Sequence, residues 1–265
     1  MSALTVYVDG AGLWSPHLAD FAALRGALQG EAASPPPARP PATLLPAAER
    51  RRAPESVLLA VEVAGQAVAM SGREPASLPC VFASSHGDQP IMDYMCTVLA
   101  SAPAELSPTR FHNSVHNAPA GYWTIATGCH APSNAVCAQR ASFGAGLLEA
   151  ASLALADAQP VLLVCSDTAG AGPLTEVTAS AAPFGCALVL SPQPGACTLG
   201  RLVLHLCPGS IADASGESAV PAEWIASSPS AVALPLLALL AQGAGRCRLM
   251  AAGSLGMDVH LEECA

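Results

Sequence analysis

The chain has 265 residues, enough for one large α/β domain or two small ones. Its formal net charge is -9 and all eleven basic residues are arginines without a long basic stripe, which makes nucleic-acid binding a poor fit. Hydrophobic residues make up 52% of the chain and charged residues only 12%. This composition favours a protein that covers part of its surface with a partner.

The cysteines and the apolar runs indicate in which cellular compartment the protein is expected. The ten cysteines are scattered and no pair has C-x-x-C spacing, so we predict no zinc site, and nothing in the sequence calls for another metal or a cofactor. No basic n-region opens the chain, and the longest apolar run, 231–241, is too short to cross a bilayer. We therefore expect a reduced, cytoplasmic protein that has no membrane segment.

Strand-like and helix-like patterns alternate along the first 207 residues. We predict a strand at 4–9 that ends in the turn GAGLWSP, and a proline-rich surface segment at 30–48. The predicted helices are 18–28, 53–70 and 90–101, and the later strands are 79–83, 161–167, 184–191 and 198–207. The runs at 161–167 and 184–191 are almost entirely apolar until their last one or two residues, which is typical of strands buried on both faces. The alternation predicts a layered α/β sheet.

The last part of the chain has a different character. Residues 209–221 are loop-like, 230–242 form one apolar helix, and 247–262 form a strand pair around Gly253 and Ser254. This tail is too short for a second domain. We therefore divide the chain into a domain at 1–195 and a strand-helix-strand remnant at 196–265 that packs on it.

The stretch from Ser107 to Ala151 predicts a loop, a short helix, a glycine turn, a strand, a sharp turn and a helix of small residues. This order puts Arg140 at a strand-to-helix elbow, where related architectures expose a nucleophile. A guanidinium stays protonated and cannot attack a substrate. Because a buried unpaired guanidinium is costly, Arg140 is expected to pair with a carboxylate, unless it is a relic without a partner.

Several motifs in and around this stretch resemble the β-ketoacyl synthases, which are condensing enzymes of the thiolase fold. They are the strand–GAGLWSP–helix order, the pattern SP-x-x-F-x-N-S-V-x-N-x-x-x-G, and G-x-x-A-P-S before the elbow. The resemblance covers about residues 2–191, the first half of such an enzyme. It implies an α/β fold: a thiolase-like, layered α-β-α half-domain with a mixed central sheet.

The resemblance also implies that this chain is not a condensing enzyme on its own. The family's catalytic cysteine falls at Arg140, preceded by Gln139, where the family pattern T-A-C-[ST]-[SG]-G reads A-Q-R-A-S-F-G. The family's two further catalytic residues come from a second half that has no matching segment in these 265 residues. The class with these features is the chain-length factor, here of the shortened type of aryl-polyene pathways. Such a subunit pairs with a full-length ketosynthase and meets the acyl carrier protein only through it.

In thiolase-fold dimers the strand before the elbow pairs with its mate in the other subunit, and an unpaired strand edge is a template for another chain. The resemblance therefore implies a docking strand made of Asn134, Ala135, Val136 and Cys137. The loop before it would close the far end of the partner's acyl tunnel. The expected wall residues are Arg110, Phe111, His112 and Val115.

Other interpretations of the same residues remain open. The main alternative is an independent thiolase-fold acyltransferase or hydrolase that uses Cys137 or His112, although burial on a strand would keep Cys137 inert. A third is a structural stabiliser that has no effect on product length. The spacing of His112 and His116 is that of a helical metal pair, but no H-E-x-x-H glutamate accompanies it, which favours packed or interface histidines. The run Ser84–Asp88 contains Ser, His and Asp, but a turn is the simpler interpretation because catalytic triads assemble in space.

Overall fold

The computed structural model describes residues 3–31, 34–209 and 219–264. The helices are α1 (Phe21–Leu28), α2 (Ala47–Arg52), α3 (Glu55–Ser71), α4 (Gln89–Ser101), α5 (Pro108–Asn113), α6 (Ala118–Thr127), α7 (Ser142–Ala156), α8 (Thr175–Thr178), α9 (Ala222–Ala226) and α10 (Leu234–Gln242). The strands are β1 (Leu4–Trp14), β2 (Cys80–Ala83), β3 (Ser133–Val136), β4 (Val161–Asp167), β5 (Phe184–Ser191), β6 (Gly200–Pro208), β7 (Gly245–Ala252) and β8 (Leu255–Glu262). Single 3-10 turns lie at Pro75–Ser77, Pro103–Glu105, Gln139–Ala141, Gly172–Leu174 and Pro229–Ala233.

One mixed sheet carries all of these strands, in the order β3-β2-β4-β5-β1-β6-β8-β7. β2 runs parallel to both β3 and β4, and every other neighbouring pair is antiparallel. One face of the sheet packs against α3 and α6, and the other packs against α7, α1 and α10. The fold therefore confirms the expected α-β-α layering around a mixed sheet.

The strand β1 is longer than the sequence pattern predicted. The segment GAGLW was expected to form a turn, but the strand continues to Trp14. A Cβ on Gly10 would lie 2.2 Å from the carbonyl oxygen of Ala67, and one on Gly12 would lie 2.1 Å from that of Val63. The two glycines therefore allow the backbone of α3 to approach the strand closely, which is a regular role of glycine inside a strand.

The C-terminal strands extend the same sheet and do not form a separate layer. β6 pairs with β1, and β8 and β7 follow it to the far edge. The strand pair predicted at 247–262 is observed as β7 and β8. Part of the loop predicted at 209–221 lies outside the described residues. The predicted helix 230–242 is a 3-10 turn, Pro229–Ala233, followed by α10.

No helix among the described residues is long and apolar enough to cross a membrane.

Candidate functional site

The candidate site lies where three parallel strands end. The carboxyl ends of β3, β2 and β4 meet at one rim of the sheet because these strands run in the same direction. The elbow at 137–141 follows β3, the turn Ser84–Asp88 follows β2, and Asp167 is the last residue of β4. Three loops that are far apart in sequence are thereby brought together.

The elbow turns at Gln139, one residue before the position expected from the sequence. Gln139 has φ +52°, a left-handed conformation that is uncommon for a residue other than glycine. Two hydroxyls donate to its carbonyl oxygen: the Oγ atoms of Ser85 at 2.7 Å and of Ser142 at 2.6 Å. Arg140 is the second residue of the 3-10 turn that leads into α7. By backbone conformation, Gln139 is therefore the residue at the apex.

Arg140 does not have the environment that its charge led us to expect. Its side chain is exposed, and among the described residues it forms no ion pair within 4.0 Å. The described residues therefore do not supply the expected carboxylate partner. An exposed guanidinium remains hydrated and does not need one.

The placement of Cys137 also differs from the prediction. β3 ends at Val136, and Cys137 is an exposed residue of the elbow whose Sγ donates to the carbonyl oxygen of Ser85 at 3.4 Å. The expectation of a buried, desolvated thiol was wrong, because β3 is the last strand of the sheet and no described strand pairs with its far side. The described residues place no histidine within hydrogen-bond distance of Sγ.

A buried carboxylate connects the turn after β2 to the C-terminal segment. Oδ1 of Asp167 accepts the hydroxyl of Ser84 at 2.9 Å and the backbone N–H groups of Ser85 at 2.8 Å and His86 at 3.1 Å. Oδ2 accepts the hydroxyl of Ser230, at 2.5 Å, from the 3-10 turn before α10. Asp167 is 1% exposed, and within the described part of the chain it accepts these four hydrogen bonds and forms no ion pair.

The same cluster contains a thiol. Burial, with the neighbouring charge of Asp167, raises the pKa of Cys165 well above its ordinary value. The thiol therefore stays protonated, and it lies 3.2 Å from the hydroxyl of Ser230. The C-terminal segment is in this way tied to the end of β4.

The expected wall residues occupy α5 and the turn after it. Phe111 and Val115 have exposed fractions of 57% and 51%, and His112 is exposed as well. Arg110 is different, since its guanidinium carbon stacks 3.9 Å from the ring centroid of Tyr94 on α4. Exposed apolar side chains of this size fit a surface that another molecule covers.

A small pocket of about 20 Å³ with a mixed polar and apolar lining lies beneath this segment, enough for about one water molecule. Its lining includes Ser84, Asp88, Asn113, Val115 and His116. Nε2 of His116 lies 3.0 Å from the carbonyl oxygen of Ser84, which anchors the segment to the turn after β2. The pocket is too small for an acyl chain within this chain alone.

The structure does not support a metal site at His112 and His116 or a catalytic triad within Ser84–Asp88. His112 lies on α5 and His116 lies in the turn beyond it, so the pair is not on one helix, and no cluster of three metal-ligating side chains occurs in the described ranges. In Ser84–Asp88, Asp88 caps α4 by accepting the N–H of Ile91 at 2.9 Å. These five residues form a turn, as the simpler interpretation predicted.

The edge of the sheet next to the elbow is open. Asn134 and Ala135 of β3 are exposed, Val136 is half-buried, and the strand carries no charged residue. α6 packs beside β3 and presents Ile125, whose side chain is 85% exposed. Natural sheet edges are commonly protected by charges, prolines or bulges, and β3 has none of these. The sequence reasoning missed Ile125, for which the only signal was the nearly unbroken apolar run of α6.

The family follows from a comparison with known families. The model of the β-ketoacyl synthase N-terminal domain matches residues 26–250. The chain belongs to this family. The matched region continues past residue 195 and into the C-terminal strands, further than the resemblance at 2–191 suggested.

Solved structures of β-ketoacyl synthases and their complexes have the same fold. One is the complex of the ketosynthase ApeO with its chain length factor ApeC from Xenorhabdus doucetiae, with a TM-score of 0.72 and 23% identity over 97% of this chain and 99% of that one. Another is the ishigamide ketosynthase/chain length factor, with a TM-score of 0.68 and 17% identity over 98% of this chain and 100% of that one.

A third is AntDE:AntF, described as a type II PKS acyl-carrier protein in complex with its ketosynthase, with a TM-score of 0.70 and 12% identity over 98% of this chain and 99% of that one. A comparison with curated protein sequences found no match.

Proposed function

We propose that this ketosynthase-family chain is the non-catalytic chain-length factor of a heterodimer whose other subunit is an active β-ketoacyl synthase. The observation that carries the proposal is the elbow. Its strained backbone is retained, but Gln139 and Arg140 occupy the turn and neither can form an acyl thioester. In the proposed heterodimer this subunit shapes the acyl tunnel, and its partner catalyses the condensation.

The proposed partner pairs along β3. The strand is uncharged and mostly exposed, and no strand of the described residues pairs with its outer side, so the backbone N–H and C=O groups on that side can bond to a strand of another chain. Ile125 next to it adds apolar surface that such a partner would cover. The likeness to structures of ketosynthase and chain length factor complexes supports this choice of partner, and the acyl carrier protein would be met through that partner.

The proposed effect on product length comes from the segment 109–115. Phe111, His112 and Val115 are exposed at the rim that carries β3, and they would line the end of the partner's acyl tunnel. The volume of these side chains would limit the number of carbons that fit. The proposed pathway is polyketide or fatty-acid-like biosynthesis of the aryl-polyene kind.

The test is heterodimer formation with a candidate full-length ketosynthase from the same organism. We expect the two chains to copurify and to elute together in gel filtration. Replacing Ile125 with Asp should weaken the pair about 100-fold or more, because the loss of a buried isoleucine adds to the cost of burying a charge. The matched control is Ala222→Asp, an exposed position at the start of α9, which should pair normally. A chain that is soluble and folded but binds no ketosynthase would refute the proposal.

A second candidate function is supported by one observation, the exposure of Cys137. An independent acyltransferase or hydrolase that used this thiol would need it as a thiolate, and such a thiol reacts quickly with iodoacetamide at neutral pH. Cys96 is another exposed cysteine and serves as the internal control. Alkylation of Cys137 much faster than that of Cys96 would favour the enzyme, whereas equal rates would favour the chain-length factor.

A further inference from the structure

We propose that Tyr94 is a positioning residue that fixes the segment carrying the wall residues, and that through this segment it controls how sharply product length is defined. Two interactions meet at Tyr94. The guanidinium of Arg110 stacks on its ring at 3.9 Å, and its hydroxyl accepts the backbone N–H of Ser107 at 3.1 Å. One side chain on α4 thus holds both the first turn of α5 and the residue that caps it.

α5 needs such an anchor because it cannot hold its own position. It has only six residues, and its hydrogen bonds are few and local. The Ser107 hydroxyl accepts the N–H of Arg110 at 3.4 Å, and backbone bonds join Phe111 N–H to the Ser107 carbonyl at 3.0 Å and Ser114 N–H to the Phe111 carbonyl at 3.1 Å. Helices of this length are not stable without tertiary contacts. Most of its side chains, including Phe111, are exposed, so no hydrophobic core fixes it.

The far end of the segment has its own anchors. The hydroxyl of Tyr122 donates to Oδ1 of Asn113 at 3.3 Å, and Nε2 of His116 lies 3.0 Å from the carbonyl oxygen of Ser84. Phe111 therefore lies between two fixed points. Releasing the front one at Tyr94 leaves the segment attached at its back, so that Phe111 can move without the chain unfolding.

This assignment changes the expected role of Arg110. The sequence placed Arg110 in the wall, but its guanidinium is engaged with Tyr94 and its contribution is made through that contact. Tyr94 itself is half-buried under the segment. The consequence for product length depends on the proposed function, whereas the contact itself can be tested in the isolated chain.

Tryptic cleavage after Arg110 is the test in the isolated chain. Arg110 is the only lysine or arginine between Arg73 and Arg140, so the cut gives two fragments that mass spectrometry identifies without ambiguity. Removing the hydroxyl alone, in Tyr94→Phe, should raise the cleavage rate about fivefold. Tyr94→Leu removes the stacking as well and should raise it about twentyfold. Cleavage after Arg52, exposed on α2, should not change and serves as the internal control.

The second readout uses the heterodimer with its ketosynthase. Tyr94→Leu and Arg110→Gln should each broaden the distribution of product lengths, with Tyr94→Leu the broader because it removes both contacts. The double variant should be no broader than Tyr94→Leu alone, and the yield of the complex should stay unchanged. Tyr94→Phe keeps the ring, so its product distribution should be narrower than that of Tyr94→Leu and broader than that of the wild type.

The outcomes separate the two proposals. Equal tryptic rates in wild type and Tyr94→Leu would overturn the assignment of Tyr94 whether or not the chain pairs. Faster cleavage in a chain that binds no ketosynthase would support the contact and refute the chain-length factor. Faster cleavage with normal pairing and an unchanged product distribution would overturn the control of product length.

Discussion

Replacement of Asp167 tests whether the carboxylate holds the turn after β2 and the C-terminal segment together. In Asp167→Ala, four donors lose their acceptor in a site that is 1% exposed. The hydroxyls of Ser84 and Ser230 can rotate toward other acceptors, but the N–H groups of Ser85 and His86 cannot. At about 1–3 kcal/mol for each stranded donor, we expect a loss of about 4 kcal/mol, or about 10 °C in Tm.

Two milder variants show which of the hydrogen bonds of Asp167 account for the loss of stability. Asp167→Asn keeps one oxygen for the three donors on Oδ1, and its amide can donate to Ser230, so we expect about 1–2 kcal/mol. Ser230→Ala removes only the donor on Oδ2 and should cost a similar amount. Calorimetric unfolding of the purified chain gives all three values. A Tm of Asp167→Ala within about 2 °C of wild type, or equal losses for Asn and Ala, would refute the network as described.

Two further predictions concern the wall residue Val115 and Gly144 of α7. Val115→Phe should shorten the product of the complex, since the larger ring fills space at the end of the tunnel, and an unchanged product in mass spectrometry would show that this residue does not face it. Gly144→Ala should lower the free energy of unfolding by about 1–3 kcal/mol, because its Cβ would lie 2.1 Å from the carbonyl oxygen of Met250. Gly121→Ala in α6 is the matched control, where a Cβ meets nothing within 4 Å, and denaturant titration should show an unchanged or higher stability.

The sequence predicted the buried strands well and the close contacts poorly. The apolar runs at 161–167 and 184–191 coincide with β4 and β5, since burial on both faces leaves a local signature. Gly10 and Gly12 suggested a turn, but their role is set by α3, which is more than forty residues away. A contact at that sequence separation leaves no pattern in the strand itself.

The sequence predicted where the elbow lies, but not its backbone conformation or the exposure of the residues around it. The resemblance located the elbow to within one residue, but a left-handed φ at Gln139 depends on the surrounding hydroxyls and not on the residue type. The exposure of Cys137 and Ile125 follows from the position of β3 at the end of the strand order, which short-range periodicity does not encode. No local pattern indicates the role of Asp167, because its four donors come from distant segments.

The hydrogen bonds at Gln139 mean that the shape of the elbow is imposed by its surroundings. The hydroxyls of Ser85 and Ser142 donate hydrogen bonds to the backbone carbonyl of Gln139. The side chain of Gln139 is exposed to solvent and does not contribute to these bonds. Exchanging that side chain should therefore alter the chemistry at the apex while leaving the path of the chain as it is. The position offers a site for installing a reporter group or a nucleophile in a scaffold that already presents it.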